Sequence, residues 1–151
     1  MPARSFRFRP RFRGLAWSSV GVGGALGVAT LAALGGALVP LVTGALGVVL
    51  GAGYLMSPTW KLEVVVDDDA LEVRGAKGTK FRIAWSDVVK VVASKATNTC
   101  FVDGGEPAKS LLVPGEGAPA PYDIEDKPAL LAAILAHVDP AKVQEVASLQ
   151  A

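Results

Sequence analysis

The sequence has one cysteine, one histidine and, through a long stretch of its first half, no charge at all. With Cys100 alone, no disulfide can form within the chain, which fits a reducing compartment. His137 has no cysteine or carboxylate cluster that would complete a metal ligand set. Cys100 sits in an apolar stretch beside Phe101 and Val102, as a small buried hydrophobe does, and no base is placed for it in sequence. No catalytic, cofactor or metal site is therefore expected, and no enzyme. Nucleic acid is not an expected partner.

The charge-free stretch runs from Gly14 to Trp60, 47 residues. A helix needs about 20 apolar residues, at 1.5 Å rise each, to cross a ~30 Å hydrocarbon core. One helix of this length would be ~70 Å long and would overshoot a bilayer. Gly35-Gly36 and Pro40 supply the break, because paired glycines weaken a helix and proline is tolerated in a first turn. The stretch thus predicts a two-span transmembrane hairpin over residues 15–56, with spans of about 15–34 and 37–56. A cleaved signal peptide would have a shorter apolar run and no second span directly behind it. Trp17 opens the first span, and Tyr54 and Trp60 close the second, so a hairpin gathers three rings at one water interface. Beyond Ser18, Ser19, Thr30 and Thr43 no polar side chain is available to line a transport path.

Glycine is dense in both spans. Gly23-xxx-Gly27 and Gly47-xxx-Gly51 are patterns that let helix backbones approach closely. They predict packing of the two spans on each other. A homo-oligomer or a glycine-lined pore, in which this chain is one subunit of a larger membrane assembly, is the alternative.

Arg4, Arg7, Arg9, Arg11 and Arg13 precede the first span with no acid among them. Residues 1–14 read as a basic tail whose charge keeps it in the cytoplasm. A hairpin returns the chain to the same side, so residues 57–138 form a cytoplasmic domain and residues 139–151 a tail or short helix. From Ser57 onward the chain carries ten Lys or Arg against 14 acids.

Past Trp60 the apolar residues alternate. Leu62, Val64 and Val66 oppose Lys61 and Glu63; Leu71 and Val73 oppose Glu72 and Arg74; Phe81, Ile83 and Trp85 oppose Lys80 and Arg82. With turns at Asp67-Asp68-Asp69 and at residues 75–79, this predicts a three-strand meander with one buried face. Three acids in a row could hold a hard cation, but an acidic hairpin tip is also ordinary turn chemistry. Residues 86–94 read as a short turn feeding a fourth strand. Two more flank Gly104-Gly105, and a last short one covers residues 122–124. Asp126 is the expected N-cap of a helix with Pro128 in its first turn and a stripe of Leu130, Leu131, Ile134, Leu135 and Val138. Phe81 and Trp85 are expected to be buried under the Leu131 and Leu135 side of that helix. A second short helix is expected over about 140–149.

The segments LEVVVDDDALEV, FRIAWSDVVKVV and DIEDKPALLAAIL make residues 59–138 resemble the bacterial pleckstrin-homology-like domains, many of which follow transmembrane spans. The resemblance implies an α+β fold: the two-helix hairpin, then a small antiparallel β-barrel or bent sheet with the C-terminal helix plugging an open end. It implies protein or lipid binding and assembly. Ordinary PH domains that grip phosphoinositides carry their basic cluster between the first two strands. Here that loop is Asp67-Asp68-Asp69, so headgroup binding at that place is not expected. Arg74, Lys77, Lys80 and Arg82 instead surround the next turn. Anionic lipid attracts each nearby cation by about 1 kcal/mol, so these four are expected at the membrane surface; plain solvated strand positions are the alternative. The resulting expectation is a scaffolding or interaction module on the cytoplasmic face of a bacterial inner membrane, with the lipid bilayer and an unidentified protein as partners.

Overall fold

The computed structural model describes residues 3–33, 35 and 37–149. They form two compact units. One is Pro10–Ser57; the other joins the residues up to Arg9 with those from Pro58 onward.

The first unit is a helical hairpin. Helices α1 (Arg13–Ala33) and α2 (Leu38–Leu55) are both long and apolar enough to cross a membrane. Of the expected break, Gly35 takes φ +61°, a conformation open to glycine, while Leu34 and Gly36 lie outside the described residues. Pro40 falls in the first turn of α2, where a missing N–H breaks no helical bond. Ser18, Thr30 and Thr43 donate to carbonyls four residues back, so their hydroxyls need no water. Ser19 donates across the hairpin to the Gly47 carbonyl at 2.9 Å.

Glycine sets how closely these helices pass. A Cβ on Gly23 would lie 2.6 Å from the Gly44 carbonyl oxygen, and one on Gly44 would lie 2.6 Å from that of Gly23. A Cβ on Gly51 would meet the Ala16 carbonyl oxygen at 2.7 Å. The large side chains point the other way. Leu15, Val22, Val28, Leu31, Leu46, Val49 and Leu50 are exposed, whereas the buried residues are Ala16, Gly23, Thr30, Gly44 and Gly51.

Among its described residues the second unit holds nine strands and one α-helix: β1 (Arg4–Pro10), β2 (Glu63–Val66), β3 (Ala70–Gly75), β4 (Gly78–Ala84), β5 (Lys90–Ser94), β6 (Thr99–Asp103), β7 (Ser110–Val113), β8 (Tyr122–Ile124), α3 (Lys127–His137) and β9 (Val143–Glu145). One sheet runs β4-β3-β2-β1-β8 and the other β7-β6-β5-β9. The expected meander is present as β2-β3-β4, antiparallel throughout. The α+β class holds, but no closed barrel forms: the chain leaves β4 through a 3₁₀ turn at Trp85–Asp87, and β4 and β5 belong to different sheets.

Two segments read as tails are strands instead. Residues 4–10 are not a free basic tail. They form β1, a central strand between β2 and β8, with Arg4 opposite Val66 and Arg7 opposite Glu63. The cause lies in Ser-Phe-Arg-Phe-Arg, a period-two pattern that sends Phe6 and Phe8 into the core and Ser5, Arg7 and Arg9 out, with Arg4 at the edge of the phenylalanine face. The expected helix over 140–149 is absent. A 3₁₀ turn, Pro140–Lys142, leads into β9, which pairs parallel to β5. A helix that short has a costly nucleus, whereas the edge of β5 offers backbone partners already in place.

The core is a single cluster in which Phe6, Val64, Leu71, Val73, Ile83, Val91, Val102 and Val113 from the strands meet Leu130, Leu131 and Ile134 of α3. Asp126 occupies the N-cap position but in the left-handed region (φ 47°), with no side-chain cap bond. Phe81 and Trp85 are only half-buried. Trp85 lies past the end of β4, where the alternation has stopped. Its Nε1 donates to the Asp67 carbonyl at 2.9 Å and its ring stacks on His137 rather than under Leu131 and Leu135.

Candidate functional site

The outward face of the five-stranded sheet holds Arg7, Arg9, Arg74 and Arg82 of the expected site residues. Strand register sets its charges in rows. Arg7, Glu63 and Arg74 are successive cross-strand neighbours, as are Ser5, Val65, Glu72 and Arg82. Opposite charges facing each other across strands contribute roughly 0.2–1 kcal/mol per pair. Glu72 is the focus of the second row. It is buried, and Arg74 Nε reaches it at 2.7 Å while Arg82 Nε lies 3.3 Å away.

The four cations expected to act together therefore divide. Arg74 and Arg82 hold Glu72. Lys77 and Lys80 are exposed, Lys77 in the tight turn that Gly78 closes at φ +118°. Lys80 is the extra residue of a bulge, since Val73 pairs with Phe81 and Arg74 with Thr79.

The five N-terminal arginines divide as well. Arg4, Arg7 and Arg9 are on β1, and Arg11 and Arg13 lie in the Pro10–Ser57 unit. Arg9 is ion-paired with Glu125. Arg4 lines a pocket of about 180 Å³ with Val66, Asp68, Ala133 and His137. Arg7 lines a cleft of about 400 Å³ with Trp60, Lys61, Leu62, Glu63, Arg74, Gly75 and Ala76. Reading the arginines only as a topology signal hides β1; the Phe-Arg alternation is the signal for that strand.

Of the packing glycines, Gly23, Gly47 and Gly51 lie at the helix crossing. Gly27 offers its backbone to Gly44, and a Cβ of its own would meet nothing within 4 Å. Gly44 belongs to neither small-xxx-small pattern, and it sits at one of the tightest approaches.

The residues considered for chemistry have structural work. Asp67 Oδ1 accepts from the backbone N–H of Asp69 (2.9 Å) and of Ala70 (2.7 Å), which closes the acidic turn. Among the described residues no group of three or more His, Cys, Asp or Glu is arranged to hold a metal ion. Cys100 is fully buried on β6, and burial pushes its thiol up to about 12. His137 Nδ1 contacts the Ala133 carbonyl oxygen at 2.8 Å, and Nε2 lies 3.6 Å from Asp68.

Comparison with protein-family models, with curated proteins and with solved structures yields no match.

Proposed function

We propose that this chain is a membrane-anchored interaction module. Helices α1 and α2 lie in the bilayer, and the nine-stranded unit works at the cytoplasmic face of a bacterial inner membrane as a PH-like scaffold for a protein partner or the lipid surface. The observation that carries this reading is the inverted polarity of the hairpin, with leucine and valine outward and glycine, alanine and threonine inward. A pair of helices in the core of a water-soluble protein would bury its large side chains instead.

Strand pairing supports a two-span topology. β1 precedes the hairpin, β2 follows it, and the two are antiparallel neighbours. Such pairing fits a hairpin whose two ends emerge on one side. The arginines then favour the cytoplasm, since the charge bias counts residues near a span whether or not they are folded. Gly23, Gly44, Gly47 and Gly51 are occupied within the hairpin, which favours the intramolecular role of these glycines over a pore. At the lipid surface all four cations are exposed; Arg74 and Arg82 are partly offset by Glu72, and Lys77 and Lys80 are in no ion pair with a described residue.

The test exploits the single buried cysteine, which leaves the chain silent to thiol reagents. Ser5→Cys, Ala118→Cys and Leu38→Cys are expressed singly in bacterial cells. Alkaline washing should leave the protein in the membrane. An impermeant reagent should label Leu38→Cys at the tip from the periplasm, and the other two only from the cytoplasmic side. Release by alkaline washing, or labelling of Ser5→Cys and Ala118→Cys from opposite sides, would reject the reading.

A further inference from the structure

The cleft lined by Arg7, Lys61 and Arg74 has the composition of an anion site. We infer that it binds the phosphodiester of an anionic, hydroxyl-bearing lipid headgroup of the phosphatidylglycerol type. The inference rests on the membrane-anchored reading above.

Three cations reach the cleft from three different elements: Arg7 from β1, Lys61 from the 3₁₀ turn Pro58–Lys61, and Arg74 from β3. Arg7 and Arg74 flank Glu63 on neighbouring strands, so their Cα atoms lie about 9.5 Å apart at ordinary strand spacing. Two guanidinium groups at that separation can close on one phosphate, and the planar fork of N–H donors suits phosphate oxygens. Neither Arg7 nor Lys61 makes an ion pair with a described residue, whereas Arg9, Arg82, Lys95, Lys109 and Lys127 all do. Arg74 meets Glu72 through Nε, and a guanidinium carries four further N–H donors. The cleft is also roomy, about 400 Å³, within the range of small-ligand sites.

Sequence position gives the source of the phosphate. Arg7 precedes the start of α1 by six residues, and Lys61 follows the end of α2 by six. Six residues reach about 20 Å at full extension. With the hairpin in a bilayer, both cations are leashed within reach of the headgroups. Trp60 also lines the cleft, and its ring suits the boundary between headgroup and hydrocarbon.

Glu63 supplies the selectivity. A carboxylate among three cations repels a second negative charge on the ligand and accepts hydrogen bonds from hydroxyls. A glycerol headgroup satisfies it; the carboxylate of phosphatidylserine or the second charge of phosphatidic acid does not.

The experiment uses the full chain in neutral detergent and measures retention of added lipids by native mass spectrometry. Each nearby cation is worth roughly fivefold in affinity for anionic lipid. Phosphatidylglycerol should bind at least about tenfold more tightly than phosphatidylcholine, and more tightly than phosphatidylserine. Arg7→Gln with Lys61→Gln should weaken it by roughly 25-fold, whereas Lys90→Gln with Lys109→Gln, an equal change in net charge elsewhere, should leave it within about twofold. Glu63→Gln should erase the preference over phosphatidylserine. If the double variant fails to keep its circular-dichroism melting transition, Lys61→Gln alone, at an exposed turn, should still weaken binding by roughly fivefold. Equal retention of phosphatidylglycerol and phosphatidylcholine, or unchanged phosphatidylglycerol binding in a folded cleft variant, would overturn the proposal. So would full displacement of the lipid by millimolar inorganic phosphate, which would make this a free-phosphate site. Each of these can occur with the alkaline-wash and labelling results intact, so failure here is separable from failure of the membrane-anchored reading.

Discussion

The two units of this chain are folded by opposite rules. In the sheet unit, bulky β-branched and aromatic side chains point inward and the charges point out, as water requires. In the hairpin the bulky side chains point outward and glycine faces glycine. Among the exposed large hydrophobic residues, all but Val89 and Leu112 belong to the hairpin. The difference is what the membrane-anchored proposal rests on. Burial of apolar area drives folding in water, at roughly 25 cal/mol per Å². Between helices in lipid that drive is absent, and close backbone packing takes its place. A residue that stabilises one unit would thus disrupt the other.

The largest expected effect comes from β1. In sequence it precedes the hairpin, whereas the rest of its sheet follows it, so a fragment beginning at Ser57 lacks a central strand. Deleting residues 3–9 should abolish the cooperative unfolding transition of the sheet unit, because each lost phenylalanine costs about 3–5 kcal/mol against a total stability of about 5–15. Phe6→Ala alone should cost about 3–5 kcal/mol in urea unfolding of the full chain in detergent, followed by near-ultraviolet circular dichroism. A deletion variant that melts at the unchanged temperature would show that the sheet unit does not need the strand.

Smaller, and specific to the hairpin, is the effect of adding side chains at the crossing. Gly44→Val would drive methyl groups into the Gly23 carbonyl and should cost about 1–3 kcal/mol, the range for overpacking. Gly53→Val, at a position where a Cβ would meet nothing within 4 Å, should leave hairpin stability within about 0.5 kcal/mol. The readout is loss of far-ultraviolet helicity on titration with sodium dodecyl sulfate. Equal effects of the two changes would mean that the crossing is not what holds the helices together.

These residues also show what was legible in the sequence. The two spans and the β2-β3-β4 meander could be read because charge-free length and period-two alternation are local signals. The tails misled. Arg4, Arg7 and Arg9 have the composition of a topology signal, and their alternation with Phe6 and Phe8 was the competing signal. β9 could not be read, because a three-residue strand is defined by the edge it joins. Nor could the cleft, which needs β1 beside β2, a pairing across 47 uncharged residues. Gly44 was passed over because its partner is on the other helix, whereas the four-residue glycine patterns describe one helix at a time.

A third effect is confined to the sheet core and depends on pH. Burial raises the Cys100 thiol from 9.0 to about 12. Below pH 9 the thiol is protonated in both states and contributes nothing to pH dependence. Above pH 9 the unfolded chain releases the proton and the folded one does not, so stability falls as pH rises, by at most about 1.4 kcal/mol per unit up to pH 12. Comparing Cys100→Ala with the parent removes the contribution of other titrating groups. At pH 10 the parent should have lost about 1.4 kcal/mol more than the variant relative to pH 8. Identical pH profiles would place the thiol in contact with water.

The smallest expected effect tests how little the surface of the sheet unit matters beside its core. Lys95 Nζ lies 2.6 Å from Glu145 Oε1, and the pair joins the end of β5 to the end of β9. Both side chains are largely exposed, at 64% and 60%. Water screens such a pair, and holding two long side chains in one geometry costs entropy, so exposed ion pairs contribute about 0–1 kcal/mol. Lys95→Ala should therefore shift urea unfolding by under about 1 kcal/mol, and raising the salt concentration should narrow the gap from the parent. The pair is not what seats β9; the backbone ladder to β5 and the half-buried Val143 remain in the variant. A loss of several kcal/mol would mean that β9 is held by its charge, and the contrast between a core-driven sheet unit and a backbone-packed hairpin would then need a third, electrostatic element.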